Sequence, residues 1–370
     1  MAKFEQLAHQ IREQLQEGIW QPGDKLPSLR EKSLHSGMSL MTVLHAYQLL
    51  ESQGLIVSRP QSGYYAAPQL SALPADSLHS PVGQERVQLT EDVDVNAFIF
   101  DVLQASKDPA VMPFGSAFPD PQLFPQRQLT RSLASVARHM QPHSALDNLP
   151  PGNESLRKNI AQRYALQGIA VSPDEIVITA GAMESLNLSL QALTEPGDYV
   201  VIESPAFYGA LQAIERLKLK AIAIATDPQQ GIDLDALQQA LNDYPIKACW
   251  LMTNFHNPLG CTLSWEKKQR LVAMLEKHGV GLVEDDVYSE LYTGLQRPLP
   301  AKALDKKGTI LHCSSFSKNL VAGFRIGWVA AGSYAGSIQR LQLMSTLSTS
   351  APMQLAIADY LATSSYDSHL

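Results

Sequence analysis

The N-terminal segment combines helical periodicity with two short strand patterns. A first amphipathic helix, ended by Gly18, is predicted from an apolar face made of Phe4, Leu7, Ala8, Ile11 and Leu15. The S-x-x-E sequence at 28–31 is a capping box that begins a second helix, which ends near Gly37. Ser39 can cap a third helix, whose apolar positions are Val43, Leu44, Tyr47 and Leu50. Short apolar runs at 55–57 and 64–66 flank Gly63 and indicate a hairpin. This order predicts a winged helix-turn-helix domain over residues 1–67.

The pattern changes after this segment. Residues 68–95 contain Pro68, Pro74, Pro81 and several serines, and they show no apolar periodicity. Such a composition is typical of a linker that is partly extended by its prolines. We therefore expect a linker over 68–95 and a second domain over 96–370.

The second domain alternates strand-like apolar runs with amphipathic segments. The predicted strands are 175–179, 199–203, 220–225, 248–253, 280–284, 309–314 and 325–331. Helical patterns lie between most of them, as at 184–193, 206–217 and 266–277. Strands that alternate with helices favour an α/β fold with a mostly parallel sheet buried on both faces. In such sheets a ligand binds at the carboxyl ends of the strands.

Composition narrows the class of protein. The chain has 370 residues, 45% of them hydrophobic, and a net charge of −7, which argues against a generally basic surface for nucleic acid. The three cysteines show no metal-ligand spacing and indicate reduced thiols in a cytoplasmic protein, with no metal site. The N-terminus lacks the apolar core of a signal peptide, and no run of about 18 apolar residues is present, so we expect no membrane segment.

Residues that could bind a ligand or take part in catalysis follow five of the predicted strands. Gly181, Ala182 and Met183 form a small-residue turn into a helix, where free N–H groups can bind an anion. The others are Phe207, Asn257, Asp285 with Tyr288, and the serine-flanked Lys318 with Ser315 and Arg325. Each has an ordinary alternative: a core aromatic for Phe207, a turn for Asn257, a helix cap for Asp285 and a solvated loop lysine for Lys318.

Together these residues match the needs of one ligand, pyridoxal phosphate (PLP). A lysine can form a Schiff base with the aldehyde, and a hydroxyl with a guanidinium can hold the phosphate. An aspartate can pair with the protonated pyridine nitrogen, which keeps the ring an electron sink. An aromatic ring and an amide can contact the ring face and the phenolate oxygen. The combination, rather than any single residue, predicts a PLP site.

The N-terminal segment resembles the GntR family of bacterial winged-helix repressors. The resemblance lies in PGDKLPSLRE, SGMSLMTVLHAYQLLESQGL and RPQSGYY. It implies that Arg30 meets DNA backbone or base, that Ser39 and Thr42 begin a recognition helix in the major groove, and that Gly63 is at the tip of the wing. The family usually has arginine where this chain has Leu40, so the operator preference is expected to be unusual. From residues alone, a protein-interaction domain stays open, because 1–59 holds six basic and six acidic residues.

Residues from about 110 onward resemble the large domain of fold-type I aminotransferases, and the whole chain resembles the MocR subgroup of GntR regulators. The resemblance implies that Lys318 carries PLP, that Asp285 holds the ring nitrogen, and that Asn257 and Tyr288 hold the phenolate oxygen. Phe207 would stack on the ring, while Ala182, Met183, Ser315 and Arg325 would bind the phosphate. It also implies a homodimer, because fold-type I sites lie between two subunits.

Several positions depart from that pattern. Asn148 stands where a tyrosine commonly reaches the partner subunit's phosphate, Ala117 replaces a usual glycine and Ala322 a usual proline. The sequence stops at Leu370, soon after a segment typical of the helix that leads to the small C-terminal domain. We therefore expect a truncated product or a decayed gene, without the arginine that grips a substrate carboxylate.

These features predict a PLP-responsive, DNA-binding transcription regulator with PLP or an amino-acid adduct as its effector. A PLP-dependent aminotransferase acting on an amino acid is the alternative, and a scaffold that binds no PLP is a third. Amino-acid turnover, DNA binding and a PLP absorption band distinguish the three.

Overall fold

A computed structural model describes residues 3–59, 62–67, 99–100, 104, 117–141, 146, 148–364 and 366–370, and the backbone of 87–90. The chain divides into two compact units, Met1–Gly83 and Gln84–Leu370. The helices are α1 (Lys3–Gln16), α2 (Leu29–Ser36), α3 (Leu40–Ser52), α4 (Gln126–His139), α5 (Glu154–Leu166), α6 (Ala182–Leu193), α7 (Tyr208–Arg216), α8 (Leu234–Asp243), α9 (Trp265–His278), α10 (Ala335–Ser345), α11 (Ala351–Thr363) and α12 (Tyr366–His369). The strands are β1 (Ile56–Arg59), β2 (Gly63–Ala66), β3 (Val87–Thr90), β4 (Ile176–Thr179), β5 (Tyr199–Ser204), β6 (Lys220–Asp227), β7 (Gly231–Ile232), β8 (Ile246–Leu251), β9 (Gly281–Asp285), β10 (Ile310–Ser315) and β11 (Gly327–Ala330).

The N-terminal unit is a winged helix-turn-helix, as the sequence predicts. The predicted capping box begins α2: the Glu31 N–H donates to Ser28 Oγ at 3.3 Å, and the Ser28 N–H donates to Glu31 Oε2 at 2.7 Å. Gly37 ends α2 in the left-handed region, where glycine is unstrained. Strands β1 and β2 pair as an antiparallel hairpin. The three helices bury their apolar faces on one another and on the hairpin, in a core that includes Leu7, Ile11, Val43, Tyr47, Leu50 and Ile56.

The C-terminal unit is built on a nine-stranded sheet with the order β3-β6-β5-β8-β9-β10-β11-β4, and β7 pairs with β6. Pairing is parallel from β6 through β5, β8 and β9 to β10, whereas β11 runs against both of its neighbours and β3 runs against β6. Strand β4 therefore points the same way as β10. The predicted α/β fold with a mostly parallel sheet is confirmed.

Alternation along the central strands sends side chains into two separate cores. Val201 and Cys249 pack in one core with α8 and α9, while Val200 and Trp250 pack in the other with α6, α7 and α10. Burial on both faces explains why these strands read as nearly continuous apolar runs. A third core joins α5 and α11 to one face of β4 and β11.

One strand corrects a prediction. Val87–Thr90 pairs antiparallel with β6, so the predicted linker over 68–95 is wrong at these four residues. The rest of that range lies outside the described residues. The pairing joins segments more than 130 positions apart, and a four-residue pattern carries no trace of such a distant partner.

Cys249, Cys261 and Cys313 are buried and unpaired by disulfides. Within the described ranges, no helix is both long enough and apolar enough to cross a bilayer.

Candidate functional site

The carboxyl ends of β4, β5, β8, β9 and β10 meet at one edge of the sheet and enclose a cavity of about 300 Å³. The residues that line it are Ala117, Phe118, Ala182, Met183, Leu186, Phe207, Tyr208, Asn257, Asp285, Val287, Tyr288, Ser315, Ser317, Lys318 and Arg325. Nine of the ten residues predicted from the sequence are in this set, and the tenth, Gly181, lies against Arg325. The sheet thus brings together predicted residues that are up to 144 positions apart in the sequence.

One end of the cavity is suited to a phosphate. Helix α6 begins at Ala182, so its first N–H groups have no partner within the helix. Gly181 has φ +94°, and a Cβ placed there would come within 2.4 Å of Arg325 Nη2. The Arg325 guanidinium donates to Ser317 Oγ at 3.1 Å. Backbone amides, hydroxyls and a guanidinium therefore converge at this end.

The same turn needs a second glycine, on the strand beneath it. A Cβ at Gly327, the first residue of β11, would lie 2.6 Å from the carbonyl carbon of Gly181 and 2.8 Å from Ala182 N. Both contacts are with backbone atoms, which cannot rotate away. The start of strand β11 can therefore pack directly against the backbone of this turn only because its first residue has no side chain.

Asp285 ends β9 with an unused acceptor. Its side chain is 2% exposed, and its Oδ1 has no hydrogen-bond partner. Burial, helped by the charge of Asp286, raises the pKa of Asp285 to about 7. The nearby indole N–H of Trp250 lowers the pKa of Asp285 and so opposes this rise. The geometry between the two side chains is not that of a hydrogen bond, and both Trp250 Nε1 and Asp285 Oδ1 are without a partner. A buried carboxylate oxygen without a donor fits a ligand that brings its own N–H, as a protonated pyridine does.

A series of buried hydrogen bonds ends at Asp286, the neighbour of Asp285, and it was not predicted from the sequence. Trp328 Nε1 donates to Tyr164 Oη at 3.0 Å, and Tyr164 Oη lies 2.6 Å from His312 Nδ1. His312 Nε2 is 2.9 Å from Asp286 Oδ2. Since the tyrosine accepts from Trp328, it donates to His312, which in turn donates to Asp286. The available signal was His312 itself, a polar residue within an apolar strand.

These hydrogen bonds keep Asp286 ionised beside the carboxyl group of Asp285. Burial raises the pKa of Asp286, but the hydrogen bond from His312 and the charge of Arg297 favour the anion, and the pKa is lowered overall. The two neighbouring aspartates thus have opposite pKa shifts: Asp286 is held as an anion inside the protein, and Asp285 is left facing the cavity.

Lys318 follows β10 and reaches into the cavity. Its Nζ donates to the carbonyl of Ala117 at 2.5 Å and lies 4.1 Å from the ring centroid of Phe118. Burial lowers the pKa of Lys318, and the nearby Arg325 lowers it further. A lowered pKa enlarges the fraction of neutral amine, which is the nucleophilic form. The contacts of Ala117 and Phe118 were not predicted, because they depend on a segment 200 residues away.

The other walls carry an amide, a phenol and an aromatic ring. Burial, and then the charge of Asp285, raise the pKa of Tyr288 to about 12, although a hydrogen bond with Asn257 opposes the rise. Phe207 packs against Tyr208 with ring centroids 4.6 Å apart. A Cβ at Gly209 would come within 2.4 Å of the Phe207 ring, so the glycine leaves room for that ring beside the cavity.

In the N-terminal unit, the four predicted DNA-contacting residues lie on α2, α3 and the hairpin. Arg30 is exposed on α2. Ser39 caps α3 by accepting from the Thr42 N–H at 3.2 Å, and the two hydroxyls are 2.8 Å apart. Gly63 has φ +106° and pairs with Arg59 at the end of the hairpin. Arg59 is exposed and stacks 4.3 Å from the ring centroid of Tyr65.

This fold and this cavity define an aminotransferase-like domain of the PLP-dependent type together with a winged helix-turn-helix unit. The profile of the family "Aminotransferase class I and II" matches residues 125–369, and that of "Bacterial regulatory proteins, gntR family" matches residues 3–65. The chain belongs to the GntR family of bacterial regulatory proteins, with the two-domain composition of the MocR-like subgroup. The resemblance predicted from the sequence is confirmed, as is PLP as the cofactor of the second domain.

Individual relatives agree with this assignment. The chain is 65% identical over 372 residues to the uncharacterized HTH-type transcriptional regulator YdcR of Escherichia coli (strain K12), covering 100% of this chain and 78% of YdcR. It is 35% identical to YjiR of the same strain, with the same coverage. Among solved structures, the multiple substrate aminotransferase from Thermococcus profundus aligns with a TM-score of 0.67 and 26% identity, covering 73% of this chain and 69% of that one. The kynurenine aminotransferase of Pyrococcus horikoshii aligns with a TM-score of 0.68 and 25% identity, covering 74% and 69%.

Proposed function

We propose that this protein is a transcription regulator that binds operator DNA through residues 1–67 and responds to PLP, or to an amino-acid adduct of PLP, through the cavity of its second domain. The observation that carries the proposal is the cavity itself, which gathers a lysine, a buried partnerless carboxylate and an anion-binding turn in one chain with a winged helix-turn-helix. Relatives over the full length of the chain are named as transcriptional regulators.

The cofactor roles assigned to individual residues follow the chemistry of the cavity. When bound, PLP supplies an aldehyde that condenses with an amine and a pyridine ring that withdraws electrons. Lys318 would be the amine that attaches it, Asp285 would accept a hydrogen bond from the ring nitrogen, and Phe207 would cover the ring face. Asn257 and Tyr288 would hold the phenolate oxygen. The phosphate would be held by Gly181, Ala182, Met183, Ser315 and Arg325.

The DNA-binding roles rest on the exposed side of the N-terminal unit. Arg30 contacts the DNA backbone or a base from α2, and Gly63 allows the tip of the wing to approach the duplex closely. Because the hydroxyls of Ser39 and Thr42 bond to each other, these residues contribute chiefly by fixing the first turn of α3 in the groove. Two copies of the chain, working in the cytoplasm as a homodimer, would bind two half-sites.

DNA binding measured with and without PLP tests the function. The full chain is mixed with labelled DNA from upstream of its own gene, and the affinity is measured with no ligand, with PLP, and with PLP plus single amino acids. We expect a sequence-specific complex whose affinity depends on PLP. A complex that is absent under every ligand condition would refute the regulator.

The chemical arm of the same experiment uses Lys318→Ala, with Lys247→Ala as its control. Lys247 is an exposed lysine outside the cavity. We expect PLP to produce an absorption band near the visible edge, and borohydride to fix the label in wild type and in Lys247→Ala but not in Lys318→Ala. The aminotransferase alternative is tested on the same samples, because it requires turnover of an amino acid with a keto acid; brisk turnover without DNA binding would favour the enzyme.

A further inference from the structure

The outward face of α3 is almost free of charge. Its solvent-facing residues recur at helical spacing, and they are Met41, His45, Gln48 and Ser52, with Leu40 beside Met41 in the first turn. Leu40 is 46% exposed and Met41 is 57% exposed. On the opposite side Val43, Ala46, Tyr47 and Leu50 are buried. The helix thus turns two large apolar side chains toward solvent, although its own core face is already complete.

The lysines and arginines of the unit lie outside α3. Residues 40–52 contain neither lysine nor arginine. Lys25, Arg30 and Arg59 are exposed: Lys25 precedes α2, Arg30 is on α2, and Arg59 ends the first strand of the hairpin. Phosphates can therefore be contacted from the flanks, while the helix that would face base edges offers apolar and neutral polar groups. Phosphate contacts position a protein on DNA, whereas base contacts select the sequence.

The first turn of α3 has the surface chemistry to recognise one feature of the major groove. Recognition helices place their N-terminal residues against base edges. Among the groups displayed there, only the C5-methyl of thymine is apolar. Leu40 and Met41 cannot form the bidentate hydrogen bonds by which arginine or lysine reads guanine. The hydroxyls of Ser39 and Thr42, their neighbours, are already bonded to each other at 2.8 Å.

We infer that Leu40 and Met41 select thymine in each half-site by packing against its methyl group. Exposed Gln48, two turns along the same face, is placed to hydrogen-bond a neighbouring adenine. The operator is thus rich in A·T pairs where α3 enters the groove. This inference deepens the proposed function and rests on it.

The experiment first identifies a binding sequence and then removes single methyl groups. The full chain, with PLP present and absent, selects from a pool of random 30-base-pair duplexes. Each thymine of the selected sequence is then replaced by deoxyuridine, which lacks only the methyl, and affinity is measured by fluorescence anisotropy. We expect one or two positions per half-site at which the replacement weakens binding about fourfold. This is the effect of losing the burial of one methyl group, about 0.8 kcal/mol.

Variants assign the effect to the two side chains. Leu40→Ala and Met41→Ala should each weaken binding to the thymine duplex and lose the further effect of deoxyuridine at one position. Ile19→Ala is the control, because Ile19 is a 58% exposed apolar residue that precedes the helix-turn-helix, and it should keep the full sensitivity. Circular dichroism melts verify that the variants are folded.

The outcomes separate the inference from the proposed function. If selection enriches no sequence with or without PLP, the DNA-binding regulator fails, and the inference fails with it. If a sequence is enriched but deoxyuridine changes the affinity nowhere, or if both alanine variants keep the wild-type sensitivity, only the thymine contact is overturned.

Discussion

Asp285→Asn should stabilise the cofactor-free protein at alkaline pH while removing its response to PLP. The carboxyl is buried, it has an oxygen without a partner, and its pKa is raised to about 7. In the unfolded chain the same group ionises near its ordinary value of about 4. The folded protein therefore holds a proton that the unfolded chain has already released between these two pH values.

The sign of the effect follows from linkage. Stability falls as pH rises wherever the folded state binds more protons than the unfolded state. This carboxyl therefore lowers the free energy of unfolding progressively from about pH 4 to about pH 7, after which the loss is constant. With each pH unit equivalent to about 1.4 kcal/mol, the loss is about 1–2 kcal/mol at pH 5 and about 4 kcal/mol at pH 8.

An asparagine keeps the shape and has no proton to lose. Contributions from all other groups cancel in the difference between variant and wild type at one pH. We therefore expect the stabilising effect of Asp285→Asn to be about 2–3 kcal/mol larger at pH 8 than at pH 5. The measurement is urea denaturation of cofactor-free protein followed by circular dichroism, at both pH values. In parallel, PLP should raise the denaturation midpoint of wild type much more than that of the variant.

Two results would refute this reasoning. A change in stability that is the same at pH 5 and pH 8 would mean that Asp285 is not the group with the raised pKa. A variant that gains the same stabilisation from PLP as wild type would mean that the carboxylate does not meet the ring nitrogen. The two readouts are independent, so stability can fail without the cofactor role failing.

Three further substitutions test other parts of the structure. Gly181→Ala should weaken PLP binding at least tenfold in a spectroscopic titration, because its Cβ would displace Arg325, while an unchanged affinity would exclude this turn from the site. Tyr164→Phe should destabilise the second domain by about 1–3 kcal/mol in urea, because it leaves Trp328 Nε1 and His312 Nδ1 without partners; a neutral result would show that the series of buried hydrogen bonds is not maintained. Arg59→Ala should weaken DNA binding about equally for all sequences and lower the salt dependence by about one phosphate contact, and a change in sequence preference would contradict its assignment to the backbone.

The sequence was most informative where structure is determined locally. The capping box of α2, the glycine at its end and the cap of α3 involve residues a few positions apart, and all three are formed as predicted. The predicted cavity residues are distant from one another, but all except Arg325, which precedes β11, lie at or shortly after the carboxyl end of a strand, and parallel strands end at the same edge of a sheet. Knowing the strand ends was therefore enough to identify much of the cavity, although not the wall made by Ala117 and Phe118.

The sequence could not predict contacts between residues that only the three-dimensional fold brings together. The bond from Lys318 to the carbonyl of Ala117 joins a loop to a backbone atom 201 positions away, and no residue pattern specifies it. The link between His312 and Asp286 depends on the register of two neighbouring strands, in which Cys313 lies opposite Asp285. Strand β3 escaped prediction for the same reason, because its partner lies more than 130 residues further along the chain.

The cavity is formed by residues from distant parts of the chain, and for this reason the supply of vitamin B6 should affect the amount of folded protein. Its walls, from the turn at Gly181 to the guanidinium of Arg325, come together only when the sheet has formed, so a denatured chain lacks this binding site. A ligand that binds only the native form, at a hundred times its dissociation constant, favours that form by about 2.7 kcal/mol. Proteases remove the unfolded fraction, so cells starved of vitamin B6 would retain fewer copies of the regulator as well as fewer occupied ones.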